Sequence, residues 1–313
     1  MNARVLVTGG AGFLGAQVVS RLGSAPTVER VVSVDLRPVP ESRKVRSVVL
    51  DVRDPALAEL VAEEEIDRIV HLAAVVTPRP GQSRQELASI DVGGTANVVD
   101  AALVAGVRHL TVTSSGAAYG YHPDNPDWID EDDPLRGNPT FAYSDHKRQV
   151  EELLAKVRAD HPELGQLVFR PGTILGETVD NQITALFERP VLLGIAGADS
   201  PFVFIWDTDA VEAIVRGTLE LRTGVFNLAG DGAVPLRRIA RELHKPFLPL
   251  PAGVVKAALA VAARLRLTAL GPEQVDFLRY RPVLSNRRLK DEFGFVPKLS
   301  SLEALRAWRD RRG

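Results

Sequence analysis

Short apolar runs alternate with longer amphipathic stretches along the first half of the chain. Residues 5–7, 31–34, 47–50, 68–74, 109–113 and 166–170 are short, largely apolar and rich in β-branched residues. That is the pattern of strands buried on both faces. Between them, residues 16–22, 55–62, 85–105 and 141–159 carry apolar positions at helical spacing, which predicts helices. Strand–helix alternation of this kind predicts an α/β fold: a doubly wound parallel sheet covered on both faces. Residues 224–230 predict a further strand that returns to this sheet. Residues 177–197 and those from 236 onward are less regular and are expected to form a smaller, interleaved C-terminal part.

The first strand leads into Gly9, Gly12 and Gly15, a G-x-x-G-x-x-G turn followed by a helix. Glycine is needed there because the backbone must turn tightly and let a pyrophosphate approach its N–H groups at a helix N-terminus. The second strand ends in Asp35, about 20 residues after the last glycine, where a carboxylate accepts both ribose hydroxyls of NAD. Together they predict a dinucleotide site. Asp35 argues for NAD over NADP, since it repels a 2′-phosphate, and Arg37 softens that preference.

In open parallel sheets, ligands bind outside the carboxyl ends of the strands. Asp51, with the backbone of Val52, is placed there to hold the adenine amino group; Asp54 before Pro55 is better placed to cap the next helix. Leu72, Ala73 and Ala74 follow the fourth strand and let the cofactor pass closely. His71 reads as a buried structural residue rather than a base. Thr113 and the Ser114–Ser115 pair end the fifth strand, and Pro171 ends the sixth. Tyr143 and Lys147 lie four apart on one helix face. A free phenol has a pKa near ~10, and a neighbouring ammonium and nicotinamide cation favour its phenolate.

Composition narrows the range of activities. The 313 residues carry a formal net charge of −2, so no basic surface points to nucleic acid. There is no cysteine, which excludes disulfides, a thiol nucleophile and thiolate metal sites and fits a cytoplasmic location. No metal is expected. No apolar run is expected to span a membrane; residues 253–266 come closest, and Lys256, Arg264 and Arg266 make them an amphipathic helix packed on its own protein. The acidic stretch 122–134 reads as a solvated loop at the rim of the substrate cleft.

The set Thr8 to Gly15, Asp51 to Asp54, His71 to Ala74, Asp91 to Thr95, Ser114 to Gly120, Tyr143 to Lys147 and Arg170-Pro171 resembles extended short-chain dehydrogenases/reductases of the NAD-dependent epimerase/dehydratase group. The resemblance implies a Rossmann-type domain over residues 1–175 and a mainly substrate-binding domain over 176–313. It implies that Tyr143 is the acid/base, Lys147 its partner and Ser115 the hydroxyl that orients substrate. Phe13 and Leu14 would supply pyrophosphate-binding amides, and Pro171 would lie near the nicotinamide. A small-molecule substrate would meet Thr77, Ser115, Gly116, Asn181 and Arg281, and helices 85–105 and 141–159 would pair in a homodimer.

The chain also departs from that pattern. The family's usual Asn before Val-x-Gly-Thr is Asp91 here. Nucleotide-sugar 4,6-dehydratases carry Asp-Glu after the catalytic hydroxyl, whereas Gly116-Ala117 follow Ser115, so dehydration lacks its acid and base. Phe202 stands where the family tends to place a phosphate-clamping Arg, with Trp206 in a His position, an apolar wall that favours a less charged substrate. Three readings remain: a nucleotide-sugar 4-epimerase working by transient hydride transfer to NAD, a dehydrogenase/reductase of a secondary alcohol that releases the ketone, and a dinucleotide-sensing binding protein without turnover, which the presence of Ser115, Tyr143 and Lys147 disfavours.

Overall fold

The computed structural model describes residues 2–79, 81–265, 271 and 274–312. Its strands are β1 (Ala3–Thr8), β2 (Val28–Asp35), β3 (Val45–Val49), β4 (Arg68–His71), β5 (His109–Thr113), β6 (Gly165–Pro171), β7 (Thr173–Leu175), β8 (Leu192–Ile195), β9 (Phe204–Trp206), β10 (Gly224–Leu228) and β11 (Phe247–Leu250). Seven of them form one sheet in the order β10-β6-β5-β4-β1-β2-β3, and every pairing in it is parallel. The strand order reverses between β1 and β4, which makes their carboxyl ends the switch point where such sheets bind ligands.

The helices are α1 (Phe13–Ser24), α2 (Ala56–Glu63), α3 (Arg84–Ala88), α4 (Gly94–Val104), α5 (Ala142–Asp160), α6 (Gln182–Glu188), α7 (Asp207–Leu219), α8 (Leu236–Glu242), α9 (Ala252–Arg264), α10 (Gln274–Arg279), α11 (Arg287–Asp291) and α12 (Ser301–Asp310). Alternation within the strands builds the two layers. Val5, Val7, Val31 and Phe169 face a core shared with α1 and α7. Leu6, Val32, Ile69 and Val168 face the opposite core, shared with α2, α4 and α5. A third core joins Phe187, Phe202, Phe204, Trp206, Ile239 and Trp308 in the C-terminal part, where Ser300 and Glu303 form a capping box at the start of α12. β10 pairs with β6, so the chain returns to the main sheet after visiting the smaller part.

Four expectations need correction. The helix expected over 85–105 is broken into α3 and α4 by a π-helical turn, Ser89–Gly93. The whole run Arg84–Val104 is, by length and composition, apolar enough to cross a membrane, contrary to the sequence reading; 44% of its most apolar window is buried within the protein. The helix at α9 forms, yet none of its described side chains is buried, and Val254 and Val261 are 57% and 59% exposed. Lys256 ties it to Asp276 of α10, and Arg266 lies outside the described residues. Finally, the acidic stretch is anchored rather than freely solvated. Ile129 bridges to Leu284, Asp130 and Asp132 pair with Arg287 and Arg288, and Glu131 is buried.

A buried polar network holds that stretch to the sheet. The Arg170 guanidinium donates to both carboxylate oxygens of Glu151 at 2.8 and 2.9 Å, to the Tyr119 hydroxyl and to the Glu131 carbonyl. Burial works against the charge on Arg170, but Glu151 and Tyr119 outweigh it and raise its pKa. Tyr119 donates to Asn227 Oδ1, and the Asn227 amide donates to Glu131 Oε1 at 2.6 Å. Glu131 Oε2 has no partner among the described residues, and burial pushes this carboxyl up to about 7.

The Glu131 carboxyl titrates higher in the folded chain than its ordinary 4.5, so folding favours its protonated form. Its contribution to stability is therefore complete below about 4.5 and is lost as pH rises through about 7. Thermal denaturation of Glu131→Gln should show a melting temperature that gains on the wild type as the pH is raised from 5 to 8. A constant difference across that range would contradict the assignment.

Candidate active site

The glycine turn is built by contact between backbones. Gly9 adopts φ +71°, and a Cβ there would lie 2.7 Å from Ala73 N and 2.9 Å from Leu72 C. The turn therefore rests directly on the chain leaving β4. A Cβ on Gly15 would collide with the Gly9 carbonyl, which allows α1 to start tight against the turn. Gly12 is the N-cap of α1 and supplies no side-chain cap, so the first-turn amides, including those of Phe13 and Leu14, face outward with the positive end of the helix dipole. These features fit a dinucleotide pyrophosphate.

At the end of β2, Asp35 Oδ2 accepts the Ala11 amide and Oδ1 accepts the Arg37 amide, both at 3.1 Å. Each oxygen retains a second lone pair for a ribose hydroxyl. Arg37 turns its guanidinium back onto the Ala11 carbonyl at 3.0 Å. Asp51 is held by Arg53, whose side chain bonds both carboxylate oxygens and depresses the Asp51 pKa. Asp54 accepts from Ala56 N at the start of α2. The Val52 carbonyl is held by Asn97 at 2.7 Å. His71 is fully enclosed: Nδ1 meets Thr8 Oγ1 at 2.7 Å and Nε2 meets Thr95 Oγ1 at 3.0 Å. Burial, reinforced by Lys147, lowers its pKa to about 3, which leaves a neutral structural imidazole.

The end of β5 and the start of α5 carry the three candidate residues Ser115, Tyr143 and Lys147. Phe141 is the extended N-cap of α5, so Tyr143 and Lys147 occupy its first two turns. Lys147 is buried, its Nζ donates to the Thr113 carbonyl at 3.2 Å and it stands 5.8 Å from the Tyr143 ring centroid. Ser115 caps the short 3₁₀ turn Gly116–Tyr119, accepting from Ala117 N at 3.1 Å. The Ala117 carbonyl accepts from Ser144 Oγ at 2.6 Å, so two hydrogen bonds connect the Ser115 hydroxyl to the residue beside Tyr143. Leu284 lies against Gly116, where a Cβ would come within 2.9 Å of it.

The substrate side is less uniform. Arg281 stacks on Phe202 and Phe277, with its guanidinium carbon 3.8 and 4.5 Å from the ring centroids. Its Nη2 reaches Thr173 Oγ1 at 3.5 Å, while Nε and Nη1 are buried without a partner among the described residues. Burial lowers its pKa to about 10, so it remains a cation. Phe277 also packs on Tyr121 and Phe141. Phe202 is fully buried and Trp206 nearly so; both belong to the third core rather than to an open apolar wall, because neighbouring rings and α12 cover them. Asn181 Oδ1 accepts the Ile183 and Thr184 amides as the cap of α6. Thr77 lies exposed in the loop after β4, and Pro171 ends β6.

The structure also engages residues that the sequence left without a role. Asp145 receives Arg84 at 2.6 Å, and His146 meets Asp91 at 3.4 Å. Their only sequence signal was a pair of ionisable residues inside the Tyr–Lys spacing, together with the acid at 91.

If Asp35 holds the adenosine ribose, Asp35→Ala should weaken NAD binding by about tenfold, or ~1.4 kcal/mol, in a calorimetric titration. A dissociation constant within twofold of the wild type would remove Asp35 from the cofactor site.

The model of the NAD dependent epimerase/dehydratase family matches residues 5–228. A UDP-glucose 4-epimerase of Mycolicibacterium smegmatis is 30% identical, with 96% of each chain covered. A protein of Mycobacterium tuberculosis without an assigned activity is 28% identical over 99% of this chain and 84% of its own length. Among solved structures, MoeE5 in complex with UDP-glucuronic acid and NAD superposes with a TM-score of 0.75 at 23% identity, covering 99% of both chains. The chain belongs to the NAD dependent epimerase/dehydratase family and is an NAD-dependent enzyme.

Proposed function

We propose that this enzyme is a nucleotide-sugar epimerase that works by transient oxidation of a secondary alcohol at Ser115, Tyr143 and Lys147. Residues 1–175, with the strand near 224–230, bind NAD, and residues 176–313 mainly bind substrate. NAD, held by the α1 amides, Asp35 and Lys147, supplies the hydride acceptor and donor. Ser115 hydrogen-bonds the substrate oxygen and Tyr143 takes its proton. Lys147 holds its amino group beside the phenol, 5.8 Å from the ring centroid. When the proton returns from Tyr143 after the ketone has turned over, the alcohol is restored with inverted configuration.

The observation that carries the choice of substrate is Arg281: a buried guanidinium with two nitrogens unpaired among the described residues. A desolvated cation is costly without a counterion, and a diphosphate satisfies it with charge-assisted hydrogen bonds. The UDP-sugars named for similar proteins agree with this chemistry. A second reading, a dehydrogenase/reductase that releases the ketone, is favoured by Phe202, which offers Arg281 an aromatic face instead of a second phosphate-binding cation. The shallow groove between α4 and α5, lined by Ala96, Val99, Leu103 and Leu153, supports a homodimer through these helices.

Incubation with UDP-glucose and catalytic NAD should yield the 4-epimer without net NADH. Stoichiometric NADH from a secondary alcohol would favour the dehydrogenase instead. Tyr143→Phe should lower kcat by about 10²- to 10⁴-fold, the range of lost acid–base catalysis, and an unaltered rate would eliminate both readings. Arg281→Met should raise the KM for UDP-glucose by roughly tenfold or more and leave NAD affinity unchanged.

A further inference from the structure

We propose that Asp91 and His146 are a positioning pair for the reaction at Tyr143, locking the chain that leaves β4 to the helix that carries the phenol. The inference rests on the assignment of Tyr143 above and adds residues that act through it.

Both side chains are almost completely enclosed, at 3% and 2% exposure. Asp91 stands on the π-helical turn Ser89–Gly93, where the helix is locally widened, a feature frequent at functional sites. Its Oδ1 accepts the Val75 amide at 2.9 Å and its Oδ2 faces His146 Nδ1 at 3.4 Å. Its carbonyl accepts from Thr95 Oγ1 at 2.6 Å, and Thr95 in turn contacts His71. The Asp91 backbone is thus fixed within its own helix, and the two oxygens of its carboxylate span the gap between two segments.

Those two segments matter for the chemistry. Val75 follows Ala73 and Ala74 at the switch point and precedes Thr77 at the exposed rim. His146 lies between Tyr143 and Lys147, so α5 cannot shift against Asp91 without moving both. A second tie acts one residue earlier, where Asp145 binds Arg84 of α3. The Arg84–Asp145 bond is partly exposed and Asp91–His146 is not, which makes the enclosed pair the stiffer reference.

The imidazole also carries a cost. Its Nε2 is buried without a partner among the described residues, and a small or apolar side chain at 146 would avoid that. The contact through Nδ1 is what the ring contributes in exchange.

Amide exchange on the NAD complex and steady-state turnover of UDP-glucose, both on the full chain, test the pair. His146→Leu and Asp91→Ala should each speed exchange in the peptide containing Val75. Each should also lower kcat by about tenfold, as sub-ångström misplacement does, with KM and NAD affinity within twofold. The double variant should lose no more than either single one, since the two side chains act as a unit. His146→Asn should recover most of the rate, because its amide presents a donor near the former Nδ1. Unchanged exchange at Val75, normal kcat with faster exchange, or losses that multiply in the double variant would each overturn the proposal. Failure of the Tyr143 assignment would show separately, as a Tyr143→Phe enzyme that still turns over; the Val75 exchange result stands apart from that outcome.

Discussion

The site depends on how closely two backbones approach at the carboxyl edge between β1 and β4. Gly9 lies against Ala73 at a separation that leaves no space for a methyl group, and Gly15 brings α1 down onto the Gly9 carbonyl. That packing aims a helix terminus at the switch point while the neighbouring strand ends supply Asp35, Ala73 and Thr113. A wider turn would still connect strand to helix, but the amides and the carboxylate would no longer address the same ligand.

The segment from Tyr143 to Lys147 extends this logic across the sheet. Each of its five residues has a separate task. Ser144 holds the turn that presents Ser115, Asp145 and His146 bind the elements after β4, and Lys147 anchors on β5. The Tyr143 hydroxyl alone makes no hydrogen bond among the described residues, as the proposed contact with substrate requires. The helix is therefore positioned from three directions, and the phenol inherits that placement without being constrained directly.

Much of this was legible in the residue pattern because parallel α/β sheets leave strong signals. Continuous apolar strands, glycine spacing and a strand-end Asp35 are local features, and the strands lie within a few residues of their expected places. Contacts between distant segments were not legible. The π-helical turn at Asp91 looks like ordinary helix, since its apolar spacing is nearly the same. The 122–134 stretch looks solvated by composition, yet Glu131 is drawn inward by the Asn227 amide, 96 positions away. Phe202 looked like a wall of the cleft because sequence cannot tell an aromatic facing ligand from one facing Phe187 and Phe204.

The Leu284 side chain resting on Gly116 has a consequence for anyone exchanging parts between such enzymes. Leu284 also bridges to Ile129, so the stretch that holds Arg281 doubles as a floor under the turn that carries Ser115. Under the proposed function, recognition and chemistry share a seam in this molecule. A chimera that imports a relative's C-terminal part will keep its reactive hydroxyl in register only if an equally bulky aliphatic group arrives at that seam.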